Sequence, residues 1–361
     1  MFDVEKLVRP GFAAMRAYTP IRPVDILSER FGVPEERVIK LDGNENPYGC
    51  SPCVKEALQR YAHYHIYPDP EQKVFRAALA GYVGMGEDYL IGGAGSDELI
   101  DLVLRLFLEP GDSVINCPPT FGMYPFCTEI CGGKTVDIRR RGDFSIDAGA
   151  VKKAVDSRTK VIFVTSPNNP SGNITAEKDI LDLLETGVVV VVDEAYYEFS
   201  GVTVAPLVAR HDNLIVLRSF SKWAGLAGLR VGYGIFSPRL APYLMKIKQP
   251  YNINAAAQVA VLESLKDIEN LRAVVRKLIA ERGRLFEKLS ELAFLKPYPS
   301  QANVILCSVS GGRAHKTYEA LQKAGIFIRY FDTPVLKDCI RISIGKPEHT
   351  DAVIETLKKV E

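Results

Sequence analysis

The sequence predicts an α/β protein with a large domain built on a mostly parallel central sheet and a smaller α+β domain. Three observations predict it. Near-continuous apolar runs at Val161–Val164, Val188–Val192 and Leu214–Leu217 suit strands covered on both faces. Between about residues 90 and 235 such runs alternate with helical spacing, which implies helices layered on a sheet. Near Pro250 the texture changes to long helices rich in Leu, Glu, Lys and Arg, then to short strands. A length of 361 residues is compatible with two domains. The expected division is an N-terminal arm packing on the small domain (1–38), a large cofactor-binding domain (39–249) and a small C-terminal domain (250–361).

The elements follow in order. Residues 1–38 mix a short helical start with Pro20 and Pro23, as an arm laid over the body would. Val38–Leu41 reads as a strand leading into the polar turn Asp42-Gly43-Asn44-Glu45-Asn46-Pro47-Tyr48-Gly49. Residues 71–83 have helical spacing. Gly95-Ser96-Asp97-Glu98 opens an amphipathic helix with Leu99, Val103, Leu106 and Phe107 on its apolar side. Ser113–Asn116 is a strand. Residues 256–292 read as one or two long helices. Strands at Asn303–Leu306, Ile326–Ile328 and Cys339–Ile344 then alternate with helices over 313–324 and 350–359.

Ligands of open α/β sheets gather at the carboxyl ends of the strands, and here those ends carry chemistry. Leu214–Leu217 delivers Ser219-Phe220-Ser221-Lys222, with Arg230 eight positions on. A lysine amine in such a turn can condense with an aldehyde to a Schiff base. Ser219, Ser221 and Arg230 can hold a phosphate dianion beside it. Aldehyde and phosphate together describe pyridoxal 5'-phosphate. Val188–Val192 delivers Asp193-Glu194-Ala195-Tyr196, where a carboxylate can pair with a protonated pyridine nitrogen or cap a helix. Tyr196 is placed to hydrogen-bond the ring hydroxyl. Val161–Val164 delivers Ser166-Pro167-Asn168-Asn169-Pro170-Ser171-Gly172, a turn by composition, in which Asn169 offers a fixed amide donor. Gly92-Gly93-Ala94-Gly95-Ser96 offers open N–H groups at a helix start, with Ser96 equally a plain cap. Ser113–Cys117 leads into Pro118-Pro119-Thr120-Phe121-Gly122-Met123-Tyr124, where Phe121 can stack on a ring or fill core.

These motifs together resemble the fold type I pyridoxal-phosphate-dependent aminotransferases, from Leu41-Asp42-Gly43-Asn44-Glu45-Asn46-Pro47 to Cys339-Ile340-Arg341-Ile342-Ser343. The resemblance implies Lys222 as the Schiff-base lysine and Asp193 as the pyridinium partner. It implies Tyr196 and Asn169 at the ring hydroxyl and Phe121 on the ring face, where relatives often carry Tyr. Gly95, Ser96, Ser219, Ser221 and Arg230 would hold the cofactor phosphate. Tyr67 would reach that phosphate from a partner subunit, which implies a homodimer with shared active sites.

The same resemblance implies Arg341 as the grip on a substrate carboxylate or phosphate and Arg329 as a second anion-binding arginine. Tyr18 would close over the substrate, with Asn303 nearby. More narrowly, it implies amino-group exchange between L-histidinol phosphate and 2-oxoglutarate, giving imidazole acetol phosphate and glutamate. An aromatic amino acid aminotransferase and a threonine-phosphate decarboxylase share these motifs and stay open as alternatives.

Other classes lose ground on composition. A formal net charge of +1 gives no global field for nucleic acid, and the short stretch before the site motifs leaves no room for a DNA-binding module. No apolar run reaches membrane-spanning length, and Met1-Phe2-Asp3-Val4-Glu5-Lys6 lacks the regions of a signal peptide. The seven cysteines are an odd count, which suits reduced thiols in a cytoplasmic protein. Cys50-Ser51-Pro52-Cys53 has zinc-ligand spacing but no second pair of ligands, so no metal is expected. His63 and His65 read as structural or surface residues.

Overall fold

The computed structural model describes residues 3–15 and 17–360; Met1, Phe2, Arg16 and Glu361 lie outside them, so the expectation about a leader concerns in part residues not described. Among the described residues the strands are β1 (Ile39–Leu41), β2 (Leu90–Gly93), β3 (Ser113–Asn116), β4 (Lys134–Asp137), β5 (Thr159–Thr165) and β6 (Val189–Asp193). They continue with β7 (Leu214–Ser219), β8 (Gly232–Ile235), β9 (Leu295–Pro297), β10 (Val304–Val309), β11 (Ile326–Tyr330) and β12 (Cys339–Ser343).

Seven strands form the larger sheet in the order β2-β8-β7-β6-β5-β3-β4. Its pairs from β7 to β4 are parallel, and only β8 runs antiparallel to its neighbours. The apolar runs explain its burial. Ile162, Val164, Val190, Val192 and Val216 enter one hydrophobic cluster, while Val161, Phe163, Val191, Ile215 and Leu217 enter another on the opposite face. This is the two-residue alternation of a strand covered on both sides. Each such side chain contributes about 1.5–3 kcal/mol on burial. The helix Gly95–Phe107 covers one face with Leu99, Ile100, Leu102, Val103 and Leu104 buried; Leu106 and Phe107 are only half-buried.

The second sheet has the order β1-β11-β12-β10-β9. Here the structure corrects two expected boundaries. β1 does not open the large domain: Ile39–Leu41 pairs in parallel with Ile326–Ile328 of the smaller sheet. Nor does the change of body fall at Pro250. The helix Ala255–Lys266 packs on Pro52–Arg60 and Lys73–Val83, beside the larger sheet, and the chain changes layer at Asp267, before the helix Ile268–Ser290.

The arm touches both bodies rather than the smaller alone. Arg9 donates to the Ile130 carbonyl at 3.2 Å, while Phe31 meets Phe327 edge to face at 5.0 Å. Between these points Tyr18, Pro20 and Ile21 border the cleft described next.

Candidate active site

The carboxyl ends of β3, β5, β6 and β7 open into one cavity of about 600 Å³. Asp193 ends β6. Asn169 follows β5, and Phe121 follows β3. Ser219 ends β7, and the chain then turns through Ser221 to Lys222. Ser96 enters from the helix start, Tyr18 from the arm, and Arg329 and Arg341 from β11 and β12; all of these residues line the cavity.

The β7 turn is fixed by its apolar members. Phe220 and Trp223 are fully buried, which turns Ser219, Ser221 and Lys222 toward the cavity. Lys222 Nζ donates to the Gly43 carbonyl at 3.0 Å. Burial, aided by the Arg341 guanidinium, pushes the Lys222 amine down to about 8. An amine so shifted is free to act as a nucleophile and base near neutral pH.

Asp193 is buried at the floor. Its Oδ1 accepts the Ala195 N–H at 3.0 Å and its Oδ2 the Tyr124 hydroxyl at 2.7 Å. Burial outweighs those donors and pushes its carboxyl up to about 6. Tyr196, also buried, accepts a hydrogen bond from Asn44 Nδ2 at 2.7 Å, and burial holds its hydroxyl up at about 12.

At the other end stand three hydroxyls, Ser96, Ser219 and Ser221, with the Arg230 guanidinium. The helix Gly95–Phe107 begins without a side-chain cap, so its first N–H groups are open to an anion. The space is kept by glycines. A Cβ on Gly95, whose φ is +78°, would lie 2.7 Å from Arg230, and one on Gly232 would lie 2.6 Å from the Ser96 nitrogen. Gly95 therefore shapes the site without lining it. Arg230 is oriented by Asp97, 2.8 Å away.

An anion cradle, a carboxylate floor, an aromatic wall at Phe121 and an amine between them match the phosphate, ring nitrogen, ring face and aldehyde of pyridoxal 5'-phosphate. The donor set fits the group.

Arg341 is buried, and its Nη atoms donate to Asn169 Oδ1 at 2.6 Å and to the Asp42 carbonyl. Burial pushes its guanidinium down to about 10, and its Nε has no hydrogen-bond partner among the described residues. A buried cation so placed gains from an incoming anion. Arg329 is half-buried at the mouth and donates to the Thr19 carbonyl at 3.3 Å.

Two expected site residues lie outside this cavity, Tyr67 as its expected reach into a partner's cavity requires. Asn303 does not reach the cavity: it is buried beneath the polar turn and donates to the Asn44 carbonyl at 2.9 Å, so it braces the turn instead of meeting substrate. Tyr67 is 77% exposed outside the cavity, stacked on Tyr251 at 4.4 Å. Sequence reasoning in turn missed Asn44, Asp97 and Tyr124. Asn44 and Asp97 were legible only as a turn residue and a helix opener. Burial of Asn44 with φ +56° follows from the three-dimensional position of its turn.

Fold and site together define a pyridoxal-phosphate-dependent aminotransferase of fold type I. The chain belongs to the aminotransferase class I and II family, whose model matches residues 36–357. Within it the chain is 46% identical over 356 residues to a histidinol-phosphate aminotransferase of Dehalococcoides mccartyi, covering 99% of this chain and 98% of that protein. It is 47% identical to a histidinol-phosphate aminotransferase of Roseiflexus castenholzii, covering 99% of each. A solved histidinol-phosphate aminotransferase from Sinorhizobium meliloti in complex with pyridoxal 5'-phosphate shares the fold, with a TM-score of 0.89 over 98% of each chain at 24% identity.

Proposed function

We propose that this cavity exchanges an amino group between L-histidinol phosphate and 2-oxoglutarate, a step of histidine biosynthesis. The observation that carries the proposal is the meeting of Lys222 and Asp193 with Arg341 and Arg329 in one cavity. Full-length likeness to histidinol-phosphate aminotransferases supports the choice of substrate.

Bound pyridoxal phosphate supplies an aldehyde that takes up amines and a ring that accepts electrons when a bond at the substrate carbon breaks. Asp193 keeps the ring nitrogen paired. Tyr196 and Asn169 orient the ring hydroxyl, and Phe121 covers one face. Ser96, Ser219, Ser221 and Arg230 hold the phosphate. Lys222 Nζ would take the proton from the amine-bearing carbon as general base and deliver it, as general acid, to the carbon that carried the cofactor aldehyde. Arg341 and Arg329 serve the substrate phosphate in one half-reaction and the glutamate carboxylate in the other. Tyr18 and the arm shut out water.

The protein works as a cytoplasmic homodimer. Tyr67, Ile66, Tyr243 and Tyr251 expose apolar area on the surface, which supports a second copy covering it and Tyr67 entering the neighbouring cavity. No helix among the described residues is long and apolar enough to cross a membrane.

The test is a half-reaction followed by visible absorption. Histidinol phosphate, then phenylalanine, is added to the cofactor-loaded protein. Faster conversion by histidinol phosphate is expected. Equal or faster conversion by phenylalanine would instead mark an aromatic amino acid aminotransferase, and release of carbon dioxide a decarboxylase.

A further inference from the structure

A file of hydroxyls runs inward from Asp193. Asp193 Oδ2 lies 2.7 Å from the Tyr124 hydroxyl, which lies 2.8 Å from Thr165 Oγ1. Thr165 Oγ1 is 3.0 Å from Thr120 Oγ1, which is 2.8 Å from Asn168 Oδ1. The Asn168 amide has one orientation, because its Nδ2 donates to the Pro119 carbonyl at 3.1 Å and a carbonyl only accepts. Its Oδ1 therefore faces Thr120 as an acceptor. Tyr124, Thr165 and Asn168 are buried, and Thr120 is half-buried.

The hydrogens can be counted. Both ends of the file only accept when Asp193 is ionised. Between them three hydroxyls hold one hydrogen each, while four contacts need filling. One contact must then go without. A proton on Asp193 supplies the fourth hydrogen. Every hydroxyl then donates in the same direction, from Asp193 through Tyr124, Thr165 and Thr120 to Asn168, which reverses the bond that the ionised Asp193 accepts from Tyr124.

We propose that the file Tyr124–Thr165–Thr120–Asn168 holds Asp193 protonated in the cofactor-free protein, so that Asp193 gives up this proton, to the ring nitrogen or to solvent, as the cofactor binds. The inference rests on the pyridoxal-phosphate reading of the cavity. In the transfer to the ring the Asp193 O–H bond breaks and an N–H bond forms with the ring nitrogen's lone pair. A neutral acid and a neutral ring become a carboxylate and a cation, whose pairing offsets the contact that the file then loses; a ring that arrives already protonated forms the same pair while the Asp193 proton leaves to solvent. Tyr124 remains a donor throughout, since burial and Asp193 hold its hydroxyl far above the usual range. Burial raises Asp193 most, and Asp97 from the facing helix and the neighbouring Glu194 raise it further, against the Tyr124 and Ala195 hydrogen bonds, which lower it. Lys222, Arg230 and Arg341 line the same cavity and oppose them.

Removing a hydroxyl from the middle makes the count close without the extra proton. In Thr165→Val the contacts that remain are Asp193–Tyr124 and Thr120–Asn168, each with its own hydrogen. In Thr120→Val, Thr165 donates to Tyr124 and Tyr124 to Asp193. Both variants should ionise Asp193 more easily, whereas Thr165→Ser keeps the hydroxyl and should behave as wild type. Loss of packing alone would not separate valine from serine in this way.

The experiment measures proton uptake when pyridoxal 5'-phosphate binds the full chain, by calorimetry near pH 5.5 in two buffers of different ionisation enthalpy. Thr165→Val and Thr120→Val should each take up about half a proton or more per site beyond wild type and Thr165→Ser. In parallel, infrared titration without cofactor follows the protonated carboxyl band that Asp193→Asn removes. Its midpoint should fall by about one pH unit or more in both valine variants. Equal uptake and equal midpoints in all four proteins would overturn the proposal, and one valine variant suffices if the other does not fold. If the cofactor fails to bind at all, the reading of the cavity falls, while the infrared midpoints still decide the fate of the file.

Discussion

Arg218 and Glu194 form a buried ion pair on the far side of the wall that carries Lys222 and Asp193. Arg218 Nη2 and Nε lie 2.9 and 3.0 Å from Glu194 Oε2. Glu194 follows Asp193 in sequence, and Arg218 precedes Ser219. The pair therefore ties the end of β6 to the end of β7 while the residues on either side face the cavity. Its remaining valences are met: Glu194 Oε1 accepts the Val204 N–H at 2.8 Å, and the guanidinium sits 3.6 Å from the centre of the Tyr197 ring. Removing one partner strands the other in the core. Arg218→Met should cost about 3–5 kcal/mol of stability, read from denaturant unfolding. A loss below about 1 kcal/mol would show that the wall is held by its apolar runs alone.

On the proposed function Lys222 carries the proton transfer. Lys222→Ala should lower turnover of histidinol phosphate by roughly 1000-fold or more while leaving secondary structure intact. Steady-state rates beside a circular dichroism spectrum test this, and a loss under tenfold would remove Lys222 from the chemistry.

The depressed amine of Lys222 also has a signature in stability. Its value in the folded chain, about 8, lies below the ordinary 10.5. Between those two values the unfolded chain binds more protons than the folded one. Stability contributed by Lys222 should accordingly rise with pH from about 8 to about 10.5. Unfolding midpoints of the cofactor-free protein, compared with Lys222→Met across that range, isolate the contribution. A difference that stays flat or falls would contradict the shift.

Arg341 binds through a fork, and lysine does not reproduce it. Arg341→Lys should raise KM for histidinol phosphate by about 10- to 100-fold, the cost of about one to two charge-assisted hydrogen bonds. The same variant tested with glutamate shows whether one arginine serves both substrates.

Gly95→Ala combines a left-handed φ of +78° with a Cβ placed 2.7 Å from Arg230. Cofactor affinity should drop about tenfold or more. Fluorescence titration with pyridoxal 5'-phosphate measures it; unchanged affinity would mean that Arg230 does not hold the phosphate.

What could be read from the chain follows from where free energy is concentrated locally. β5, β6 and β7 declared themselves because both faces are covered, and the loops after them carried lysine, carboxylate and amide in a pattern that no solvated turn requires. β8 was silent. Gly232 and Gly234 interrupt its pattern, and a Cβ at Gly232 would meet the Ser96 nitrogen, a demand set by a helix far away in sequence. Asn303 stood beside a strand and looked available, yet the fold lays the Asn44 turn over it. Tyr124 looked like the end of an aromatic loop; only the approach of β6 gives its hydroxyl a carboxylate. β1 was too short to show which of two sheets would claim it.

That last allegiance has a mechanical consequence. Gly43 follows β1 of the smaller sheet, whereas Lys222 follows β7 of the larger one, and Lys222 Nζ donates to the Gly43 carbonyl. Arg341, on β12, donates to Asn169, on the loop after β5. Two of the hydrogen bonds that cross the cleft are thus made by residues that the proposed function assigns to substrate, and the Asn44–Tyr196 and Asn46–Trp223 bonds cross it as well. A rocking of one sheet against the other has to break or follow the bonds made by Lys222 and Arg341. On the proposed function, part of the seam between the sheets is made by the atoms that grip the substrates.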